Sequence, residues 1–265
     1  MGLYIKETGK NNDETIIFIH GEGTAGWIWD RQLEAFKDYH CIVLDLPGHG
    51  KSAGVRPFTI QSAADMIIDL IKNNSKNGKA HLVGISLGAQ IIVQILATAP
   101  EVVNHALISG ALVRNSEPSE SFLDLLNYLI KVYLPDKNKT IRIMSYVRSY
   151  NIPKNLRSNF KESTYVIETD SANRIIRENM LFKMPSDLEK ANVPVLVMNG
   201  QKDFIMVKES AINLLNVLPK SKGAMALKVG HLWNIENPEL FNKTLMAWIN
   251  DKELLDGKVS NLRTD

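Results

Sequence analysis

A chain of 265 residues, 45% hydrophobic and 23% charged, can bury a large core, which excludes a disordered or fibrous protein. A net charge of +2 gives no field for nucleic acid, and the single cysteine, Cys41, allows neither an intrachain disulfide nor a cysteine-rich zinc site. No apolar run reaches membrane-spanning length and residues 1–7 lack a basic-then-apolar leader, so the expectation is a cytoplasmic protein without a membrane span, a nucleic-acid partner or a metal.

Residues 3–8 read as an edge strand, and 15–20 as a continuous apolar strand buried on both faces. A Gly-rich loop, His20 to Gly26, follows, then a helix over 27–37. The next buried strand, 40–46, holds Cys41 as an inert thiol and ends in the tight loop Pro47-Gly48-His49-Gly50-Lys51-Ser52. Ile60, Ala64, Ile67, Ile68 and Ile71 give helical spacing over 59–73. A short apolar strand then runs into Gly84-Ile85-Ser86-Leu87-Gly88 and an apolar helix over 87–98, and 103–110 is a further strand. Strands alternating with helices predict an α/β fold, a doubly wound and mostly parallel sheet with its site at the carboxyl ends of the strands.

The alternation breaks over 111–185, where only helical segments are readable: 122–134, 139–150, 153–166 and 170–183. It resumes with a strand at 193–200, a helix at 207–218, a last strand at 224–230 and a closing helix at 238–251. The predicted organisation is therefore a core of 1–112 and 186–265 with a helical cap inserted over 113–185, and a polar tail from Lys252 that frays.

The strand–turn–helix at Ser86 is the setting of a nucleophile elbow, in which a sharp turn exposes the serine hydroxyl at the sheet edge. The helix start adds free N–H groups and a positive dipole end. On its own, the motif is also compatible with a Gly-rich turn that does no chemistry. A serine nucleophile needs a base, and His231, just after the predicted last strand, lies at the same edge. His20 and His49 are rivals in carboxyl-edge loops, whereas His40, His81 and His105 lie at strand starts and read as structural. Asp203, after the 193–200 strand, is the candidate to orient the base, with a helix cap as its other reading. Asp45 reads as an organiser of the loop that follows it.

The order Ser86, Asp203, His231, with the His20-Gly21 loop, the 45–52 segment and Gly230-His231, resembles the α/β-hydrolase fold with a helical cap over nearly the whole chain. The resemblance implies Ser86 as nucleophile, His231 as base and then acid, Asp203 as its orienter, and the backbone N–H groups of Glu22 and Leu87 as oxyanion hole. It implies no cofactor. The Glu22 side chain either turns away or pairs with a cation, or it meets a polar substrate group. Trp27 and Trp29 either line an acyl pocket or belong to the core. Phe122, Leu126, Tyr128, Leu129, Met144, Tyr146, Met180 and Phe182 make the cap apolar, favouring an apolar acyl or alcohol portion. The implied function is a serine hydrolase of a small ester, thioester or related acyl compound. Serine at the elbow speaks against the dehalogenase and epoxide-hydrolase branches. Lactonase, C–C bond hydrolase, aminopeptidase, cofactor-free haloperoxidase and menaquinone-pathway lyase activities stay open, as does a ligand-binding signalling protein on the same fold.

Overall fold

The apolar runs pair with one another side by side, which is why several of them have no polar face. In the computed structural model, which describes residues 2–135, 138–254 and 257–262, the strands are β1 (Ile5–Thr8), β2 (Thr15–Ile19), β3 (His40–Leu44), β4 (Ala80–Ile85), β5 (Val103–Ser109), β6 (Val195–Gly200), β7 (Ser221–Ala226) and β8 (Val259–Asn261). They form one sheet in the order β1-β3-β2-β4-β5-β6-β7-β8. Among the described residues, only the outer pairs, β1 with β3 and β7 with β8, are antiparallel. Every residue of β2, β3, β4 and β6 is buried, as expected for strands covered on both faces.

Side chains alternate between two cores. Ile17, Ile19, Ile42 and Leu44 face one, shared with α2 (Ile60–Asn74), α3 (Leu87–Thr98) and α8 (Ile205–Val217). Ile16, Phe18, Cys41 and Val43 face the other, shared with α1 (Asp30–Ala35), α9 (Trp233–Glu236) and α10 (Pro238–Ile249). Burial raises the Cys41 thiol to about 12, so it is un-ionised at neutral pH. Between β5 and β6 stand the inserted helices α4 (Glu120–Tyr133), α5 (Lys139–Ser149), α6 (Arg157–Tyr165) and α7 (Thr169–Leu181).

Two expectations are corrected. The strand expected at 224–230 runs from Ser221 to Ala226, so 227–230 form a loop that carries His231 away from the strand end. The tail does not simply fray, because Val259–Asn261 pairs with β7 and closes that edge of the sheet. Residues 136–137 of the expected cap, and 255–256 and 263–265 of the tail, lie outside the described residues.

The turn between β4 and α3 depends on close backbone approach. A Cβ on Gly84 would lie 2.6 Å from the backbone C and O of Gly88 and 2.7 Å from Ile92 Cδ1. Gly84→Ala therefore lowers stability by about 1–3 kcal/mol, the cost of overpacking a closed site, as measured by urea denaturation. Gly54→Ala, where a Cβ meets nothing within 4 Å, leaves the urea midpoint unchanged or slightly raised.

Candidate active site

The parallel register lines up the carboxyl ends of four neighbouring strands. Ile85 pairs with Ser109, Ser109 with Met198 and Gly200 with Ala226. The residues just past these ends are Ser86, Gly110, Asp203 and His231, so the topology alone sets them along one rim.

Ser86 is held in a conformation rare for a residue with a Cβ, φ 56° and ψ −119°. Its N–H donates to the Ser109 carbonyl at 2.8 Å, while its own carbonyl already accepts from Ala89 and Gln90 of α3. The residue thus belongs at once to the strand edge and to the helix start, and the turn between them stores the strain. The half-buried side chain stands beside the first loop, where a Cβ on Gly21 would come within 3.1 Å of Ser86 Cβ. Among the described residues, Ser86 Oγ makes no side-chain hydrogen bond.

His231 is buried, and its Nδ1 donates to Asp203 Oδ1 at 2.8 Å. The same oxygen accepts the Phe204 N–H at 2.9 Å, so Asp203 holds the imidazole and the start of the next helix together. Asp203 Oδ2 is buried without a partner among the described residues. Gly110, with φ 69°, makes room for the pair, since a Cβ there would sit 2.8 Å from His231 Cε1 and 3.5 Å from Asp203 Oδ2. Because Gly110 follows the very residue whose carbonyl holds the Ser86 N–H, the imidazole is brought to the elbow through one strand end. An Nδ1–H donated to a carboxylate leaves Nε2 as the basic nitrogen.

The rival histidines are locked elsewhere. His20 Nδ1 donates to the Gly21 carbonyl at 2.8 Å and its Nε2 accepts the Leu46 N–H at 2.9 Å. Burial pushes it down to about 4. His49 Nδ1 donates to the Pro47 carbonyl, its ring stands edge-on to His20, and burial pushes it down to about 3. Both act as neutral braces of the loops. Asp45 does the same with charge, accepting the N–H groups of Gly26 at 2.7 Å and Lys51 at 2.8 Å. His40 bonds Glu7 and Thr15, and the His81 ring lies tilted against His105 with centroids 5.1 Å apart, both away from the rim.

The expected oxyanion donors sit on the two segments that meet at Ser86. Leu87 opens α3, where an N–H has no helical partner, and among the described residues the Glu22 N–H makes no hydrogen bond either. The Glu22 carboxylate points into the inserted helices. It accepts from Asn179 Nδ2 at 2.6 Å and, more distantly, from the Tyr146 hydroxyl at 3.4 Å. Burial pushes its carboxyl up, opposed by those two bonds and by the charge of Arg142.

Trp27 and Trp29 separate. Trp27 is half-buried, and its Nε1 donates to Ser163 Oγ of α6 at 2.7 Å, tying the first loop to the inserted helices. Trp29 is a correction: it is fully buried against Phe18 and Phe241 in the core beneath the sheet and cannot touch a substrate. Sequence reasoning also passed over Gly110, Asn179, Tyr150 and Phe204. Only the i, i+4 spacing of Tyr146 and Tyr150 on a predicted helix offered a signal. A cleft of about 280 Å³ lies within the inserted helices, with Leu126, Leu129, Ile130, Ile176 and Met180 among its walls. Among the described residues, no group of three or more His, Cys, Asp or Glu is placed to hold a metal ion, and no helix is long and apolar enough to cross a membrane.

Comparison with known proteins gives a consistent picture. The model of the Alpha/beta hydrolase family matches residues 16–244. An (E)-2-((N-methylformamido)methylene)succinate hydrolase of Acinetobacter baylyi is 26% identical over 245 residues, covering 91% of this chain and 92% of its own. Two solved structures share the fold: a thermophilic esterase of Thermogutta terrifontis (TM-score 0.79, 19% identity, 94% and 93% of the two chains) and an enol-lactonase of Burkholderia xenovorans (TM-score 0.79, 16% identity, 94% and 96%).

The braced histidines set a pH limit on stability. Their folded values lie below the unfolded value of about 6.5, so below that pH the unfolded chain binds more protons than the folded one. Their contribution is complete above pH 6.5 and is lost as pH falls through about 4 and then about 3. The urea midpoint accordingly drops between pH 6.5 and 4, and His49→Leu, which removes one titration, flattens that drop.

Proposed function

This chain belongs to the alpha/beta hydrolase family, and from that premise we propose that it is a serine hydrolase of a small carboxylic ester, thioester or related acyl compound. Ser86 Oγ attacks the carbonyl carbon as its proton passes to His231 Nε2. The carbonyl oxygen becomes an oxyanion facing the N–H groups of Glu22 and Leu87. Two fixed donors in a water-poor cleft lower the barrier by several kcal/mol, and loss of one typically costs ~3 kcal/mol. His231 then gives its proton to the departing alcohol or thiol as the carbon–leaving-group bond breaks, leaving an acyl-Ser86 ester. Water, deprotonated by His231, cleaves that ester and restores the serine. Asp203 keeps the imidazole in one tautomer and offsets its charge while it carries the extra proton.

The observation that carries this reading is the joining of a strained serine at a strand-to-helix turn with an imidazole–carboxylate pair seated one strand end away. Ser86 Oγ and His231 Nε2 share no hydrogen bond among the described residues, and the reading has that bond form in the complex with substrate, as catalytic hydrogen bonds often do. Residues 113–185 act as the cap over a core of 1–112 and 186–265. The cap's apolar side chains, Leu126, Leu129 and Met180 among them, favour substrates with an apolar acyl or alcohol portion. The substrates named for the relatives differ from one another, and what those names share is hydrolysis.

The test is turnover of p-nitrophenyl esters of graded chain length. Ser86→Ala and His231→Ala each lower kcat by ~10⁴-fold or more with thermal unfolding unchanged, and Asp203→Asn lowers it somewhat less. Near-normal turnover by Ser86→Ala would overturn the reading. If no ester, thioester or lactone is turned over by the unaltered protein, the ligand-binding reading replaces it.

A further inference from the structure

The imidazole is covered on one face by a side chain from the inserted helices. Tyr150, the C-cap residue just past α5, stacks on His231 with ring centroids 5.3 Å apart and planes 23° apart. Phe204, adjacent to Asp203, closes in at 5.8 Å and 58°. Tyr150 in turn stacks on Tyr146, one turn back along α5, at 5.7 Å and 13°. Tyr146 does not end the chain of contacts, because its hydroxyl reaches Glu22 Oε1, and the other Glu22 oxygen is held by Asn179 of α7. Asn179 is itself fixed to the nucleophile helix, where Gln90 Nε2 donates to its carbonyl at 2.8 Å. One helix turn of the insertion therefore touches the proposed base at one end and, at the other, the loop whose N–H is the proposed oxyanion donor.

We propose that Tyr150, Tyr146 and the Glu22 side chain form a clamp through which α5 positions the base and the oxyanion loop together. The inference rests on the serine-hydrolase reading and assigns these three as positioning residues. The physical case is one of fixed planes and fixed anchors. An imidazole held only by one hydrogen bond, Nδ1–H to Asp203, can still tilt about that bond. A ring stacked on its face removes the tilt and also attracts the imidazolium that forms during the reaction. The carboxylate of Glu22, adjacent to its own N–H, converts two donors from α5 and α7 into a fixed position for that N–H. A carboxylate so close to a developing oxyanion would be harmful if free to turn toward it. The donors of Asn179 and Tyr146, with the Arg142 charge nearby, keep it directed at the insertion. Misplacement of a reacting group by an ångström costs up to about 100-fold in rate.

The experiment measures kcat and KM on a p-nitrophenyl ester for Tyr150→Ala, Tyr150→Phe, Asn179→Ala, Glu22→Ala and the Glu22→Ala/Tyr150→Ala double variant. Ile212→Ala serves as control, an exposed residue of α8 that the clamp does not touch. Tyr150→Ala and Glu22→Ala each lower kcat by about 10- to 100-fold with KM changed far less, and Asn179→Ala, which disturbs least, lowers it by about tenfold. Tyr150→Phe, which keeps the ring, recovers most of the loss. The double variant loses no more than about the worse single, as residues acting as one unit do. In parallel, the His231 Nδ1–H proton is followed by NMR: its exchange with water speeds up in Tyr150→Ala and is restored in Tyr150→Phe. Multiplying losses, a kcat within twofold of normal in Tyr150→Ala, or an unchanged Nδ1–H exchange rate in that variant would each overturn the clamp. If the unaltered protein turns over no acyl substrate, the hydrolase reading fails, and the proton exchange still decides whether the clamp holds the imidazole.

Discussion

Everything at the rim follows from the constraint on one peptide unit, the turn at Ser86. Its N–H is committed to the Ser109 carbonyl and its carbonyl to the first turn of α3, so its backbone is fixed at both ends in a left-handed conformation. That conformation costs of order 1–3 kcal/mol for a residue with a side chain, and it persists because the surroundings over-determine it. Gly84 supplies one part of that surrounding, allowing α3 to lie against β4, and Gly21 supplies another by letting the first loop reach the serine. A serine so placed is half-buried at the strand edge, and the next residue, Leu87, opens α3, where an N–H has no partner within the helix. Strain, helix start and free donor are three aspects of one backbone arrangement.

The second half of the site is assembled by the sheet. Asp203 and His231 lie three and five residues past the ends of β6 and β7, in loops that the strand register brings to the same rim as Ser86. Their mutual hydrogen bond fixes which imidazole nitrogen is basic. Gly110 then permits the close approach that no side-chain-bearing residue would allow. The other histidines near this edge, His20 and His49, are spent on backbone carbonyls and amides, and burial keeps them neutral. Identical side chains are thus sorted into braces and a candidate base by what surrounds them.

The sheet and the strand-to-helix turn at Ser86 were readable because double burial and a tight turn leave local marks: unbroken runs such as 15–19 and 40–44, and glycines flanking Ser86. The long-range pairing of Asp203 with His231 was readable from their places after strands. What was not readable depends on shape across the chain. Trp27 and Trp29 are two residues apart, yet one bonds the inserted helices and the other fills the core, because the turn at 26–29 points them to opposite sides. β7 ends at Ala226 although Leu227 and Val229 continue its apolar pattern, because their backbone groups bond Lys258 and Lys202 outside the strand ladder with β6. The tail strand has only three residues and forms by docking on β7, not by any preference of its own. The Glu22 side chain could not be assigned because its partners, Tyr146 and Asn179, lie more than a hundred residues away.

The central claim is that Ser86 is a nucleophile made reactive by His231. Peptide-mapped mass spectrometry after treatment with a fluorophosphonate tests it most directly. The expected result is one adduct per chain, located on Ser86, with its formation strongly slowed when His231 is replaced by alanine. Modification at a different serine, or an adduct on Ser86 that forms equally fast without the imidazole, would contradict it.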